Sequence, residues 1–276
     1  MLATNGVFYP VLGLASCAAF IYMSFGDLAW DIGTHVRGPE MSFVGRNGTQ
    51  FSVDGKAFFV NGWNSYWLMD QAVEEVGRPR VRAMLQAGAK MGLTVCRTWA
   101  FNDGAYNALQ VSLGHFDERI FKVSMFIRHL MVKVLERSNK SGFLLFFGLD
   151  QKMKYISRWL TSHIEDGDKE LKKPVLFTEF GLSDKTKGFD HSHRDVFYKS
   201  IFDIVYRSAR KGRSGAGAFV WQFMVAGMQE YCDDFGFVPE ERPSMYRLIK
   251  KQSCRMVKLS YGKGLLKTRF GKLCAE

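Results

Sequence analysis

Short apolar runs alternate with amphipathic helical segments along this chain, and that order limits what it can fold into more than any other feature. Residues 51–61 alternate, turn at Asp54-Gly55 and end in the apolar run Ala57-Phe58-Phe59-Val60, which reads as a hairpin followed by a buried strand. Residues 80–92 place Val81, Met84, Leu85, Gly88 and Met91 on one helical face, with Pro79 at the start and Gly92 at the stop. Residues 93–100 read as the next strand. A helix over 123–136, a short apolar run at 143–149 and a second helix over 153–164 follow, the last closed by Glu165-Asp166-Gly167-Asp168. Pro174 opens a strand over 175–179. Ser192 and Asp195 form a capping-box pattern before a helix carrying Phe197, Ile201, Ile204, Val205 and Ser208, and glycines 212, 215 and 217 lead into a strand over 218–223. Strands alternating with helices predict a parallel sheet with helices outside it.

With 276 residues, 47% of them hydrophobic and 14% aromatic, the chain lies far from the profile of disorder and can bury a sizeable core. Residues 7–23 are almost wholly apolar and the first charge is Asp27, so residues 1–26 read as a signal peptide, or as a membrane anchor if cleavage fails. Either route predicts a secreted, extracellular or membrane-anchored protein, and a membrane partner only when this segment stays attached. The sequons Asn47-Gly48-Thr49 and Asn139-Lys140-Ser141 agree. The cysteines 17, 96, 232, 254 and 274 show no metal-ligand spacing, so neither metal nor cofactor is expected. The four beyond the leader allow up to two disulfides, although Cys96 in its apolar strand reads as a buried thiol. The net charge of +11 comes mostly from the C-terminal end. Arg247 onward holds nine basic residues and one acid, leaving +3 for the rest. The basicity is therefore a tail, placed at 256–276 and expected to be mobile, and no nucleic-acid partner is expected.

The chemistry gathers at strand ends. A carboxylate closing a buried parallel strand is costly to desolvate, and function clusters at the C-terminal ends of such strands. Glu179, in Val175-Leu176-Phe177-Thr178-Glu179-Phe180-Gly181, has that position. Alone it also fits a structural ion pair. Two other strand ends supply Arg97-Thr98-Trp99 and Trp221-Gln222: a guanidinium that keeps a carboxylate ionised, and indoles on which sugar rings stack.

Taken together, the run from Phe59 to Trp67, the run from Val95 to Gly104, Phe177-Thr178-Glu179-Phe180-Gly181 and Val220-Trp221-Gln222 resemble segments of plant endo-1,4-β-mannanases of glycoside hydrolase family 5. The resemblance covers about 41–122 and 156–254. It implies a (β/α)8 barrel of TIM type, with two carboxylates hydrolysing β-1,4-mannosidic links in mannan-type polysaccharides by a retaining mechanism. It implies Glu179 as nucleophile, Arg97 as its ionising partner, and Trp99 and Trp221 as substrate-binding rings.

The family's second carboxylate, the acid/base Glu of an Asn-Glu-Pro motif on the fourth barrel strand, has no counterpart, because that tripeptide does not occur in the chain. Its His-x-Tyr pair is also absent. Four strand-helix units of about 30 residues would need about 120 between the Arg97 and Val175 strands, whereas residues 101–174 number 74. The expectation is an α/β fold, a truncated barrel over 27–255 that retains strands matching the first, second, seventh and eighth. These pair as seven, eight, one, two, with 143–149 as a fifth strand at one edge and a partly unfilled core. Glu74 and Asp103 are the loop carboxylates that would have to stand in for the missing acid. The alternative to an impaired hydrolase is a non-catalytic mannan binder, or a product without function, with Trp67, Trp99 and Trp221 as the gripping residues.

Overall fold

In a computed structural model of the chain, residues 42–99, 106–120, 122–123, 149–262, 271 and 274 are described. All but Ser42 and Phe43 belong to one compact unit, Val44–Glu276. The leader, Asp103, the Asn139 sequon, almost all of the 123–136 helix and residues 143–148 lie outside the described residues.

The chain enters through a three-stranded antiparallel sheet, β1 (Gly45–Asn47), β2 (Gln50–Val53) and β3 (Lys56–Phe58). Asp54 and Gly55, at φ 50° and 74°, make the β2–β3 turn in the left-handed region that Asp and Gly tolerate. Four parallel strands follow: β4 (Val60–Asn64), β5 (Val95–Arg97), then, past the small β6–β7 hairpin (Gln110–Ser112, His115–Phe116), β8 (Val175–Phe180) and β9 (Gly215–Val220). Their spatial order is β8, β9, β4, β5, the expected sequence of barrel positions seven, eight, one and two. Asn64 stands opposite Arg97 and Trp63 opposite Val220, so the chemical strand ends share one level. No fifth strand joins this sheet among the described residues. Leu149, placed by its apolar run in a strand, instead opens a helix.

Helices α1 (Leu68–Val73), α2 (Arg78–Lys90), α3 (Leu149–Asp166), α4 (His191–Arg210) and α5 (Pro243–Tyr261) complete the fold. Pro79 starts α2, and its buried face of Val81, Met84, Ala87 and Gly88 meets Trp63 of β4. The pattern placed the cap of α4 at Ser192, but it belongs to Asp190. Its carboxylate accepts from the Ser192 amide at 2.8 Å, and its own amide donates to His193 Nδ1 at 3.2 Å. Asp195, read as the other half of that box, leaves its buried Oδ1 without a hydrogen-bond partner. The domain boundary placed at residue 255 falls inside α5. Residues 256–261 continue the helix because Met256 and Val257 are buried, and Cys254 is disulfide-bonded to Cys274. Cys96 and Cys232 are free thiols, and burial pushes the Cys96 thiol up.

The helices cover one face of the sheet, where Phe177, Phe180, Phe202, Phe223 and Ile249 join the main core. On the other face Val60, Val95 and Phe219 are each at most 3% exposed and pack with Phe51, Phe58 and Leu176. The expected void is thus corrected at these positions, because the entry hairpin brings its two phenylalanines to that face. Strand β9 approaches β4 so closely that a Cβ on Gly217 would lie 2.4 Å from the Val60 carbonyl oxygen. Glycine is required there by contact, not by conformation.

Tyr198 of α4 ties the ends of the two strands that carry Glu179 and Trp221. Its hydroxyl donates to the Trp221 carbonyl at 2.7 Å and to that of Phe180 at 3.2 Å from a fully buried position. Burial pushes this phenol up. A folded-state pKa above the unfolded value gives stability that is complete below about pH 10 and is lost as pH rises beyond it. The denaturation midpoint should therefore fall above about pH 10, and Tyr198→Phe should cost about 1 kcal/mol at neutral pH while weakening that fall. Identical alkaline profiles for the two proteins would refute the assignment.

Candidate active site

Each chemical residue reaches the site because its strand ends there. Arg97 closes β5, Asn64 closes β4, Glu179 lies one residue from the end of β8, and Trp221 follows β9 directly. Arg97 Nη1 donates to Glu179 Oε1 and, at 2.9 Å, to Asn64 Oδ1. The Asn64 amide nitrogen donates to the carbonyls of Thr178 at 2.8 Å and Val220 at 3.3 Å. The carboxamide is thereby fixed with its oxygen toward the guanidinium. The structure thus brings together two of the residues singled out in the sequence, Glu179 and Arg97, and adds Asn64 between them. The Glu179 side chain is 52% exposed and that of Arg97 21%. The pair contributes little to stability at that exposure. Its interest is chemical: a carboxylate beside a cation and open on one side has the setting of a nucleophile.

Three aromatic residues follow within two positions of the ends of these strands: Tyr66 after β4, Trp99 after β5 and Trp221 after β9. Trp221 lies nearly parallel to Tyr66, at 15° and 6.3 Å between centroids, and Trp99 tilts against the same Tyr66 at 5.5 Å. Trp99 is 55% exposed, so its indole presents a face to solvent, as a sugar-stacking ring must. The indole nitrogen of Trp221 donates to Asp233 Oδ2 at 2.7 Å. Burial first, and the Asp233 carboxylate second, push the Tyr66 phenol up.

Trp67 is a correction. Expected to grip sugar, it is 1% exposed and packs in the core, its ring 5.8 Å from that of Tyr231. The chain turns from β4 into α1 at this point, so neighbouring residues point apart: Tyr66 goes to the site and Trp67 to the interior. Tyr66, Asn64 and Asp233 are the site residues that sequence reasoning did not single out. Tyr66 and Asn64 lie inside the quoted run from Phe59 to Trp67, but a turn has no period to say which aromatic faces out.

The two loop carboxylates weighed as substitutes for the acid do not meet Glu179 in what is described. Glu74 accepts from the Tyr106 hydroxyl at 2.9 Å, and Asp103 lies outside the described residues. Among the described residues no cluster of His, Cys, Asp and Glu could hold a metal ion.

In three dimensions the chain resembles the crystal structure of a glycoside hydrolase family 5 mannosidase from Rhizomucor miehei. The TM-score is 0.64 and the identity 12%, over 81% of this chain and 99% of that one. The fold is accordingly that of a (β/α)8 barrel, here as a partial barrel with four of its parallel strands in one sheet. Sequence comparison goes further. Residues 146–237 match the family described as GH family 5 beta-mannosidase-like. Mannan endo-1,4-beta-mannosidase 2 of Arabidopsis thaliana is 36% identical over 429 aligned residues, covering 99% of this chain and 98% of the relative. The enzyme of the same name from Oryza sativa subsp. japonica is 32% identical over 445, with full coverage of both. The chain belongs to the mannan endo-1,4-β-mannosidases of glycoside hydrolase family 5.

Proposed function

We propose that this chain binds mannan-type polysaccharide through Trp99, Trp221 and Tyr66, and that it retains the family's nucleophile, Glu179, without the acid/base carboxylate that hydrolysis requires. The observation that carries this reading is the Arg97–Glu179 pair at the ends of two barrel-type strands of one sheet, with the exposed Trp99 two residues beyond Arg97. The 429-residue alignment with the Arabidopsis enzyme exceeds the 276 residues of this chain by 153. An excess of that size supports an internal deletion, as do the 74 residues of 101–174, fewer than four strand-helix units of about 30 residues would take. Insoluble mannan should retain the purified protein at physiological salt, and Trp221→Ala should release it into the supernatant, since stacking on one ring contributes about 1 kcal/mol or more. Equal retention of both proteins, or retention of neither, would overturn the binding reading.

We further propose that the protein matures in the secretory pathway and acts in the extracellular cell wall. The Cys254–Cys274 disulfide suits an oxidising compartment. Asn47, the sequon acceptor, is exposed at the end of β1, where a glycan meets no obstacle. No helix among the described residues is long and apolar enough to cross a membrane. Protein secreted by plant cells should lose mass on enzymatic deglycosylation, and Asn47→Gln should remove part or all of that loss. An unchanged mass in the secreted protein would count against the route.

A further inference from the structure

We infer that Asp233 is a positioning residue for sugar binding: its carboxylate holds the Trp221 indole in the plane that faces Tyr66, and thereby fixes the stacking surface offered to a mannosyl unit. The inference deepens the mannan-binding reading above and rests on it. Trp221 lies just past the end of β9, where its backbone amide still donates to the Phe180 carbonyl at 3.2 Å, but its side chain is only partly buried. An indole so placed has two soft torsions and needs contacts to choose one setting. It has two. The ring rests nearly parallel on Tyr66, and its one N–H donates to Asp233 Oδ2 at 2.7 Å. A bond to an ionised acceptor is stronger than one to a neutral group.

Asp233 is itself held. Its other oxygen accepts from the Phe235 amide at 3.1 Å. The loop that carries it is fastened by Arg194 Nη2 to the Asp234 carbonyl at 3.0 Å, by Arg194 Nη1 to that of Gly236 at 2.9 Å, and by the Gln222 amide to the Tyr231 carbonyl at 3.1 Å. A rigid chain of contacts therefore runs from a buried arginine through the loop and the carboxylate to the ring. The carboxylate also raises the Tyr66 phenol, which places its charge beside both rings of the pair. Nothing in the attack on an anomeric carbon calls on Asp233, whose oxygens are taken by an indole and a backbone amide.

Two variants separate this role from a general structural one. Asp233→Asn keeps an acceptor oxygen for the indole, whereas Asp233→Leu removes it with the same branching of the side chain, with Asp233→Ala in its place should the leucine variant fail to fold. In the 15N-labelled full chain the Trp221 indole N–H signal, assigned by its loss in Trp221→Phe, is expected to shift and to exchange with solvent at least about tenfold faster in Asp233→Leu, and to stay near its original place in Asp233→Asn. Titration with mannohexaose should give a Kd about tenfold weaker for Asp233→Leu and near the original for Asp233→Asn. An unmoved indole signal in Asp233→Leu overturns the clamp, and a moved signal with unchanged mannohexaose affinity overturns its role in binding. If the unaltered chain does not bind mannohexaose, the mannan-binding reading falls and the role in sugar binding falls with it, while the indole signal still decides whether the clamp exists.

Discussion

Incubation of the purified chain with galactomannan is expected to release no reducing ends above the blank, and Glu179→Gln is expected to leave that baseline unchanged. A retaining glycosidase needs two carboxyl groups about 5 to 5.5 Å apart, one to attack and one to protonate the departing oxygen. In the function proposed above Glu179 is the first, bonded to Arg97 and open to solvent, and the second is missing. Without the second, a sugar oxygen must leave as an alkoxide, and losing a general acid alone lowers the rate by about 10² to 10⁴. A dinitrophenyl β-mannoside separates a lost acid from a collapsed site, because its phenolate leaves without protonation. That substrate should release phenolate in the unaltered chain and not in Glu179→Gln. Galactomannan cleavage that disappears in Glu179→Gln would show that some other group supplies the proton, and the impaired-hydrolase reading would fail.

Arg194→Met should be the most destabilising single change, at about 3–5 kcal/mol, lowering Tm by roughly 10 °C. Arg194 is 3% exposed, yet its fork does not meet a carboxylate in the hydrogen bonds it makes. Nε and Nη2 donate to the Leu182 carbonyl at 3.1 and 2.9 Å, while Nη1 and Nη2 reach Gly236 and Asp234. The Phe189 ring lies 5.2 Å from the guanidinium carbon. One side chain of α4 therefore fastens the segments that follow β8 and β9, and methionine would strip three buried or partly buried carbonyls of their donor. Arg194→Lys should rescue only part of the loss, since an ammonium lacks the planar fork. A thermal midpoint for Arg194→Met within about 2 °C of the unaltered protein would refute this account.

Much of the sheet could be read from the sequence because strand ends carry recognisable chemistry and the eighth strand of a closed barrel pairs with the first. The order β8, β9, β4, β5 follows from those two facts. Helix α2 was legible for a local reason, Pro79 in its first turn and an apolar face behind it. The errors have local reasons too. Both Asp190 and Ser192 can cap a helix, and only the backbone geometry selects the former. The basic residues after 255 concealed that Met256 and Val257 continue the buried face of α5. In the site, Glu179, Arg97, Trp99 and Trp221 stood out by residue type at a strand end. Tyr66 and Asp233 did not, because their roles depend on side-chain direction in irregular segments, which no periodicity encodes.

The seam between β4 and β9 sets how this protein must assemble. The bond from the Asn64 amide to the Val220 carbonyl joins residues 156 apart, and it lies in the middle of the only four-stranded sheet among the described residues. Contacts of such separation are reached slowly, since the chain must close a long loop before any of them forms. On the ribosome, β4 emerges with its pairing edge unmet and waits for more than half of the chain to be synthesised before β9 arrives. For that interval the edge is a template for other strands, so the chain is most open to mispairing before β9 is made.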